Sequence, residues 1–207
     1  MKIGWIGVGN MGKPMAKHIQ EYASEFTVCD LNQEAAVDIL ENGGKWAETP
    51  SECAKDKDIL FMSLPMPQDV EKVSTGKDGI IESVKPGTIL LDASTNSLSM
   101  VKKLHKIFDE KGVEFLDCPV SGGVIGAINK DMSIMVGGNE STYKKIKPVL
   151  DAMGDKAIYC GPVGSGTICK LSHQLFSGLL LGITTEVLTS GVKAGMDLDT
   201  LIDAISR

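Results

Sequence analysis

The chain has 207 residues, of which 43% are hydrophobic and 23% charged, and its net charge is −6. This length gives room for one large domain with a core, or for one domain plus a smaller one. The negative net charge, without any run of lysines or arginines, argues against nucleic acid as a main partner. The sequence has no uninterrupted apolar stretch of about 18 residues, so it does not predict a membrane span.

The cysteines indicate a reducing compartment. There are five of them, at positions 29, 53, 118, 160 and 169, and none form a CxxC pair. An odd, scattered set predicts neither a disulfide framework nor a zinc site, and no metal is expected. The N-terminus also lacks the longer apolar region of a secretory signal. We therefore expect reduced thiols in a cytoplasmic protein.

Short apolar runs alternate with helical patterns from the N-terminus to about residue 160. The predicted strands are Lys2–Gly7, Glu25–Asp30, Asp58–Leu64, Thr88–Asp92, Glu114–Asp117, Ser133–Val136 and Lys156–Cys160. The predicted helices between them include Met11–Tyr22, Gln33–Glu41, Ser97–Glu110 and Glu140–Leu150. This alternation is typical of an α/β fold, a Rossmann-type, doubly wound and mainly parallel sheet covered on both faces.

The pattern changes after Pro162. One long helix is predicted from Ser165 to about Ala194, with Gly195 as its C-terminal cap and Asp197 as the N-cap of a further helix. We expect a dinucleotide-binding domain over residues 1–162 and the start of an all-helical domain over 163–207. The last helix has an apolar face with little left to cover it, so either another subunit covers it or the chain is a fragment.

A glycine motif follows the first predicted strand. Residues 7–12 have the pattern GxGxxG, with glycines at Gly7, Gly9 and Gly12 and a helix behind them. The first glycine permits a tight turn, the second lets a pyrophosphate approach the backbone, and the third lets helix and strand pack closely. The alternative is a glycine-rich turn that binds nothing.

Asp30 ends the second predicted strand, 18 residues after Gly12. A carboxylate at this spacing binds the ribose hydroxyls of the cofactor and repels a 2′-phosphate. Because Leu31 and Asn32 follow it, and no arginine, the sequence favours NAD over NADP. The alternative for Asp30 is a turn residue at the end of a strand.

Five motifs in order cover essentially the whole chain. They are the cofactor signature IGWIGVGNMGKPMA, Ser63-Leu64-Pro65, Asp92-Ala93-Ser94-Thr95, Asp117-Cys118-Pro119-Val120-Ser121-Gly122-Gly123, and the GxGxxxK segment that starts at Gly164 and ends at Lys170. In these motifs the chain resembles the β-hydroxyacid dehydrogenases.

The resemblance implies roles for individual residues. The cofactor would be bound by Gly7, Gly9, Asn10, Met11, Gly12, Asp30, Leu64, Pro65 and Thr95. Ser121, Gly122 and Gly123 would bind a substrate carboxylate, and Lys170 would be the general acid/base. Other interpretations remain for each: an ordinary loop at 119–123, a helix N-cap region at Ser94-Thr95, and a solvated lysine at 170.

Lys170 begins a polar or small stripe along the long helix. Gln174, Gly178, Gly182 and Glu186 continue it at intervals of four residues, while the other faces are apolar. We expect a helix this apolar to be packed on most sides, so that Lys170 and Gln174 line a cleft. The resemblance implies an asparagine where this chain has Gln174, which keeps the amide but lengthens the side chain.

These expectations define one function and two alternatives. The first is an NAD-dependent oxidoreductase that interconverts a small 3-hydroxy acid and its semialdehyde. Gln174 would orient the carboxylate substrate, and homo-oligomers would form through the C-terminal helical segment. The alternatives are a cofactor-binding module without catalysis and a related reductase that acts on imines. Neither nucleic acid nor a membrane is expected as a partner.

Overall fold

The computed structural model describes residues 1–154 and 156–206, and in that part of the chain one sheet organises the fold. Its strands are β1 (Lys2–Ile6), β2 (Glu25–Cys29), β3 (Lys45–Trp46), β4 (Ile59–Met62), β5 (Ile89–Asp92), β6 (Glu114–Asp117), β7 (Val120–Ser121), β8 (Ser133–Gly137) and β9 (Lys156–Gly161).

The sheet has the spatial order β3-β2-β1-β4-β5-β6-β8-β7, and β9 pairs with β8. Strands β1 to β6 are mutually parallel, whereas β8 runs antiparallel to β6 and β7. The chain order reverses between β1 and β4, which are neighbours in the sheet. This is the doubly wound Rossmann arrangement, in which ligands bind beyond the carboxyl ends of the strands at that reversal.

Helices connect the strands and cover the sheet. They are α1 (Gly12–Gln20), α2 (Val37–Glu41), α3 (Pro50–Ala54), α4 (Pro67–Thr75), α5 (Leu98–Asp109), α6 (Gly123–Ile128), α7 (Glu140–Leu150), α8 (Ser165–Lys193) and α9 (Leu198–Ile205). Short 3-10 turns occupy Gln33–Ala36 and Ile80–Glu82. Connections of this type between parallel strands need a dozen or more residues.

Two apolar clusters lie on opposite faces of the sheet. Along β4, Ile59 and Phe61 belong to one cluster, and Leu60 and Met62 belong to the other. All four side chains are buried, as expected for a strand whose alternate residues point to opposite covered faces. Full burial of such a side chain contributes about 1.5–3 kcal/mol. The sheet therefore holds the ends of its central strands rigidly.

The fold class predicted from the sequence is confirmed. Each predicted strand is present, with ends that differ by at most two residues. The predicted helix Gln33–Glu41 is instead a 3-10 turn followed by α2. The elements missed are the short ones, β3, β7, α3, α4 and α6. They span two to nine residues, which is too short for a period to show in the sequence.

The described chain forms two compact units, Met1–Lys170 and the residues from Leu171 onward. The second unit holds the rest of α8, together with α9. Gly195 adopts a φ of +98°, as a C-terminal cap requires, and the Asp197 carboxylate accepts a hydrogen bond from the Thr200 amide at 2.9 Å. Arg207, the last residue of the predicted domain 163–207, lies outside the described residues.

The expectation that α8 is packed on most sides is wrong for the described chain. From Leu171 to Thr189 every residue but Leu188 is exposed, Phe176 to 66% and Leu181 to 70%. Exposed apolar residues lie all around the helix, so contact with one neighbouring surface could not cover all of them. Length and composition alone would let α8 cross a membrane, a finding the sequence analysis did not anticipate, although core helices of soluble proteins pass the same test.

Candidate functional site

The glycine loop lies between β1 and α1, at the reversal in strand order. Gly7 has a φ of +92°, and a Cβ built there would stand 2.3 Å from the Ser63 carbonyl oxygen. A Cβ at Gly12 would stand 2.0 Å from the Gly7 carbonyl oxygen, which accepts a hydrogen bond from the Trp5 indole at 2.8 Å. Gly9, by contrast, is exposed, and a Cβ there meets nothing within 4 Å. Two glycines thus permit close packing, and the third leaves open space.

Asp30 follows β2 directly and faces the same loop. Its Oδ2 accepts a hydrogen bond from the Val8 amide at 2.7 Å, and its Oδ1 accepts one from the Asn32 amide at 2.9 Å. The carboxylate is half-buried, so it fixes the glycine loop while it keeps a solvent-facing side. The open backbone at Gly9 and the carboxylate at the next strand end fit the pyrophosphate and ribose of a dinucleotide.

Hydrogen bonds join the loops after β4 and β5. The Leu64 amide donates to Ser94 Oγ at 2.9 Å, and the Ser94 amide donates to Asp92 Oδ1 at 3.0 Å. Asn96 Nδ2 donates to the other Asp92 oxygen at 3.0 Å. Burial raises the pKa of Asp92 to about 6, against the lowering effect of these donors. This carboxyl group therefore organises the loop on which Thr95 lies exposed.

The helix-cap alternative for Ser94-Thr95 does not describe this loop. The N-cap of α5 is Ser97, whose hydroxyl accepts a hydrogen bond from the Met100 amide at 3.2 Å. Pro65, like Thr95, is exposed at the carboxyl edge of the sheet. Both residues and Leu64 thus follow strands that end beside the glycine loop.

The predicted substrate loop leads from β7 into α6. Gly122 has a φ of +142° and Gly123 a φ of +64°, conformations that residues with a side chain rarely adopt. A Cβ at Gly122 would stand 2.9 Å from Met132 Sδ, whereas one at Gly123 would meet nothing within 4 Å. Both glycines are exposed and Ser121 is half-buried. The Gly123 backbone is therefore open to a small ligand.

Lys170 lies near the start of α8 and is a buried cation. Its side chain is 7% exposed, which excludes the solvated-lysine alternative. Burial lowers the pKa of its ammonium group, and within the described ranges no carboxylate lies at ion-pair distance from Nζ. A buried lysine that titrates closer to neutral pH is suited to proton transfer.

One residue of the motif at 117–123 has a part in this site that the sequence did not predict. Asp117, at the end of β6, is buried, and its two oxygens accept hydrogen bonds from the Gly164 and Thr167 amides, each at 2.7 Å. These amides begin the helix that carries Lys170. The only signal in the sequence is an acid at a strand end, ahead of the substrate loop.

The structure brings the predicted residues together in separate groups. The glycine loop, Asp30 and Leu64 are joined by contacts, as are Asp117 and the first turn of α8. Within residues 1–154 and 156–206 no hydrogen bond joins Ser121 to Lys170. Gln174 is exposed on α8, in the second unit. Its role in substrate binding stays a prediction.

Known proteins share both the sequence and the fold. Residues 2–161 match the family described as the NAD binding domain of 6-phosphogluconate dehydrogenase. The chain is 36% identical to a probable mitochondrial 3-hydroxyisobutyrate dehydrogenase of Dictyostelium discoideum over 94% of its own length and 61% of the relative's. It is 35% identical to 2-(hydroxymethyl)glutarate dehydrogenase of Eubacterium barkeri, over 100% of its length and 69% of the relative's.

Solved structures agree with these relatives. The Mycobacterium tuberculosis 3-hydroxyisobutyrate dehydrogenase, solved with L-serine, superposes with a TM-score of 0.92 at 29% identity, over 99% of this chain and 69% of that one. A variant of the imine reductase from Myxococcus stipitatus, solved with NAD+, has a TM-score of 0.86 over 99% of this chain and 70% of that one, but its 16% identity shows the fold alone.

The fold and the glycine loop thus define an NAD(P)-binding domain of the oxidoreductase class. Within that class, the chain belongs to the β-hydroxyacid dehydrogenase family. It spans less than two thirds of the length of the Dictyostelium relative.

Proposed function

We propose that the protein interconverts a small 3-hydroxy acid and its semialdehyde with NAD as cofactor and Lys170 as the general acid/base. The observation that carries this proposal is the buried lysine with a lowered pKa, placed one turn into the helix that starts beside the end of β6. The family membership and the substrates in its relatives' names support the same reaction class.

The chain's own residues would bind the cofactor and move one proton. Gly7, Gly9 and Gly12 would hold the pyrophosphate, and Asp30 would accept hydrogen bonds from the adenosine ribose. When bound, the nicotinamide gives or takes the hydride. In reduction, the protonated Nζ of Lys170 would donate a proton to the carbonyl oxygen; in oxidation, the neutral Nζ would accept the hydroxyl proton.

The substrate would be held by its carboxylate. Ser121 would donate through its hydroxyl, and Gly122 and Gly123 through their backbone amides; the open space beside Gly123 supports this role. Gln174 would orient the rest of the substrate through its amide. The names of the relatives, 3-hydroxyisobutyrate and 2-(hydroxymethyl)glutarate dehydrogenases, specify small hydroxy acids of this kind.

The test is NADH oxidation by this chain with a panel of short semialdehydes, with Lys170→Ala measured beside it. The expected result is turnover that falls by about 10²–10⁴-fold in the variant while NADH binding stays intact. NADH binding without turnover on any member of the panel would favour the alternative, a binding module without catalysis. Turnover that is unchanged in Lys170→Ala would remove the lysine from the mechanism.

The choice of NAD over NADP gives a prediction for Asp30. We expect Asp30→Asn to weaken NADH binding by about 10- to 100-fold, because a hydrogen bond to a charged group contributes about 1.5–3 kcal/mol. NADPH binding should strengthen at the same time, since the charge that repels its 2′-phosphate is gone. Titration of both cofactors by fluorescence measures the two constants. Equal losses for both would show that Asp30 only maintains the loop through the Val8 amide.

Replacing Ser121 distinguishes the proposed reaction from the imine-reductase alternative. An imine substrate needs no carboxylate site, so Ser121→Ala should then leave KM unchanged. For a semialdehyde acid we expect KM to rise by about tenfold, the loss of one hydrogen bond to a charged group. Initial rates with a carboxylate substrate and with an uncharged aldehyde of equal length measure the effect. Equal KM changes for the two would contradict carboxylate binding by Ser121.

Three further features are proposed with this function. The dinucleotide-binding domain would comprise residues 1–162, and the helical domain would begin within 163–207. Two copies would pair through that second segment, a proposal that the exposed apolar side chains of α8 support. The protein would act in the cytoplasm, where its five cysteines, all free in this structure, would remain reduced.

A further inference from the structure

The end of β6 and the start of α8 meet at one buried carboxyl group. Asp117 is 1% exposed, and both of its oxygens are occupied. Oδ1 accepts a hydrogen bond from the Gly164 amide and Oδ2 one from the Thr167 amide, each at 2.7 Å. These two amides are among those that a helix leaves without a partner at its N-terminus.

A polar side chain at the N-cap commonly accepts a hydrogen bond from the amide of the third helical residue, which in α8 is Thr167. Here the residue before α8 is Gly164, which has no side chain and a φ of +94°. The acceptor therefore comes from a strand 47 residues away in the sequence. Asp117 ties the first turn of α8 to the carboxyl end of the sheet, and its negative charge suits the positive end of the helix dipole.

Two neighbouring glycines let strand β8 and helix α8 approach Asp117 closely. A Cβ at Gly137 of β8 would stand 2.4 Å from Asp117 Oδ1, and a Cβ at Gly166 would stand 2.7 Å from the Asp117 carbonyl oxygen. The sheet and the helix thus approach each other directly at this point. A small shift of the carboxylate would shift the first turn of α8 with it.

We propose that Asp117 is a positioning residue for Lys170: it fixes the first turn of α8 so that the Lys170 ammonium group meets the substrate oxygen. Thr167, which donates to Oδ2, precedes Lys170 by three residues, so the two lie on adjacent turns of one helix face. This inference rests on the proposed function of Lys170 as the general acid/base.

Asp92 is the matched control that the fold supplies. Asp92 ends the neighbouring strand β5, in register with Asp117 of β6, and it is equally buried. Its oxygens, however, accept hydrogen bonds from Ser94 and Asn96, in the loop next to Leu64 on the cofactor side. Two adjacent carboxyl groups therefore serve different parts of the site, one the cofactor loop and the other the lysine helix.

The experiment compares Asp117→Asn and Asp92→Asn with the unmodified chain and with Lys170→Ala. The asparagine has the same shape, but one of its two polar atoms is a donor and cannot accept from a helix amide. Three quantities are measured: amide hydrogen exchange across residues 164–170, the NADH dissociation constant, and kcat with its isotope effect when NADH carries deuterium at the transferred position. An unfolded fraction lowers kcat but leaves the isotope effect unchanged.

For Asp117→Asn we expect faster exchange at residues 164–170 and a kcat lowered by about tenfold to 100-fold, since misplacing a catalytic group by about 1 Å has effects of this size. The isotope effect should rise, because the chemical step becomes slower, while the NADH dissociation constant stays within about twofold. For Asp92→Asn we expect the opposite result: NADH binding should weaken, and hydrogen exchange at residues 164–170 should stay unchanged. Should Asp117→Asn not yield folded protein, Asp117→Ser keeps one acceptor and replaces it.

Unchanged kcat and isotope effect in Asp117→Asn, while Lys170→Ala is inactive, would overturn the positioning role and leave the proposed function intact. Full turnover in Lys170→Ala would instead overturn the proposed function. If the unmodified chain shows no turnover, hydrogen exchange decides: undisturbed protection at residues 164–170 in Asp117→Asn overturns the inference, and lost protection supports it.

Discussion

Replacing Lys170 by alanine should reduce turnover by about 10²–10⁴-fold, the contribution of a placed general acid or base. The side chain is buried and its ammonium group faces no carboxylate in the described residues, so ion pairing does not explain its burial. Alanine removes the proton donor and leaves the glycine loop untouched. NADH binding, measured by fluorescence titration, should therefore remain at its original strength.

The pH dependence of turnover tests the same assignment. Burial lowers the Lys170 pKa, so the protonated form that reduction needs is lost as the pH rises through this lowered value. Oxidation, which needs the neutral form, should rise over the same interval. In Lys170→Ala the pH dependence of both the reduction rate and the oxidation rate should disappear.

The control is Lys193→Ala, which replaces an exposed lysine in the last turn of the same helix. This variant should behave as the unmodified chain. A loss of turnover in Lys193→Ala equal to that in Lys170→Ala would contradict a specific role for Lys170.

Replacing Gly12 by alanine should severely damage the cofactor loop. The new methyl group would stand 2.0 Å from the Gly7 carbonyl oxygen and 3.3 Å from the Trp5 indole nitrogen, which are hydrogen-bonded to each other. Overpacking against rigid backbone destabilises by about 3 kcal/mol. That loss should lower the melting temperature by about 10 °C, measured by calorimetry, and abolish NADH binding.

Gly9→Ala is the matched control for Gly12→Ala. A Cβ at Gly9 meets nothing within 4 Å, and its φ lies outside the left-handed region. The melting temperature should therefore stay within about 2 °C of the original, as for surface substitutions. NADH binding should still weaken, because the methyl group would occupy the space that the pyrophosphate needs. Equal melting temperatures for the two variants would contradict the packing role of Gly12.

The parts of the fold that the sequence predicts are those whose signal is local. The buried strand β4 is a continuous apolar run, and the glycine loop with Asp30 follows a fixed spacing. Lys170 was found through its motif, and its burial excludes the solvated alternative. In each case a few neighbouring residues contain the whole signal.

The parts that were missed depend on residues distant in the chain. Nothing near Gly164 in the sequence indicates that its amide finds Asp117, because no local pattern encodes the meeting of β6 with α8. β7 has two residues and forms only because β8 lies beside it. The exposure of α8 was also missed, since an apolar composition does not say what covers the helix.

The reversal of strand order at β1 has a consequence for the way the chain folds. The glycine loop touches Ser63 because β1 pairs with β4, whose residues follow after β2 and β3 have been made. During synthesis β1 and β2 are made before β4, so β1 can pair with β4 only once residues 59–62 exist. Such distant parallel pairing is slow to form because the loop entropy is lost before contacts are gained. The cofactor site can therefore be completed only after β4 has been made, although its glycine signature precedes β2, β3 and β4 in the chain.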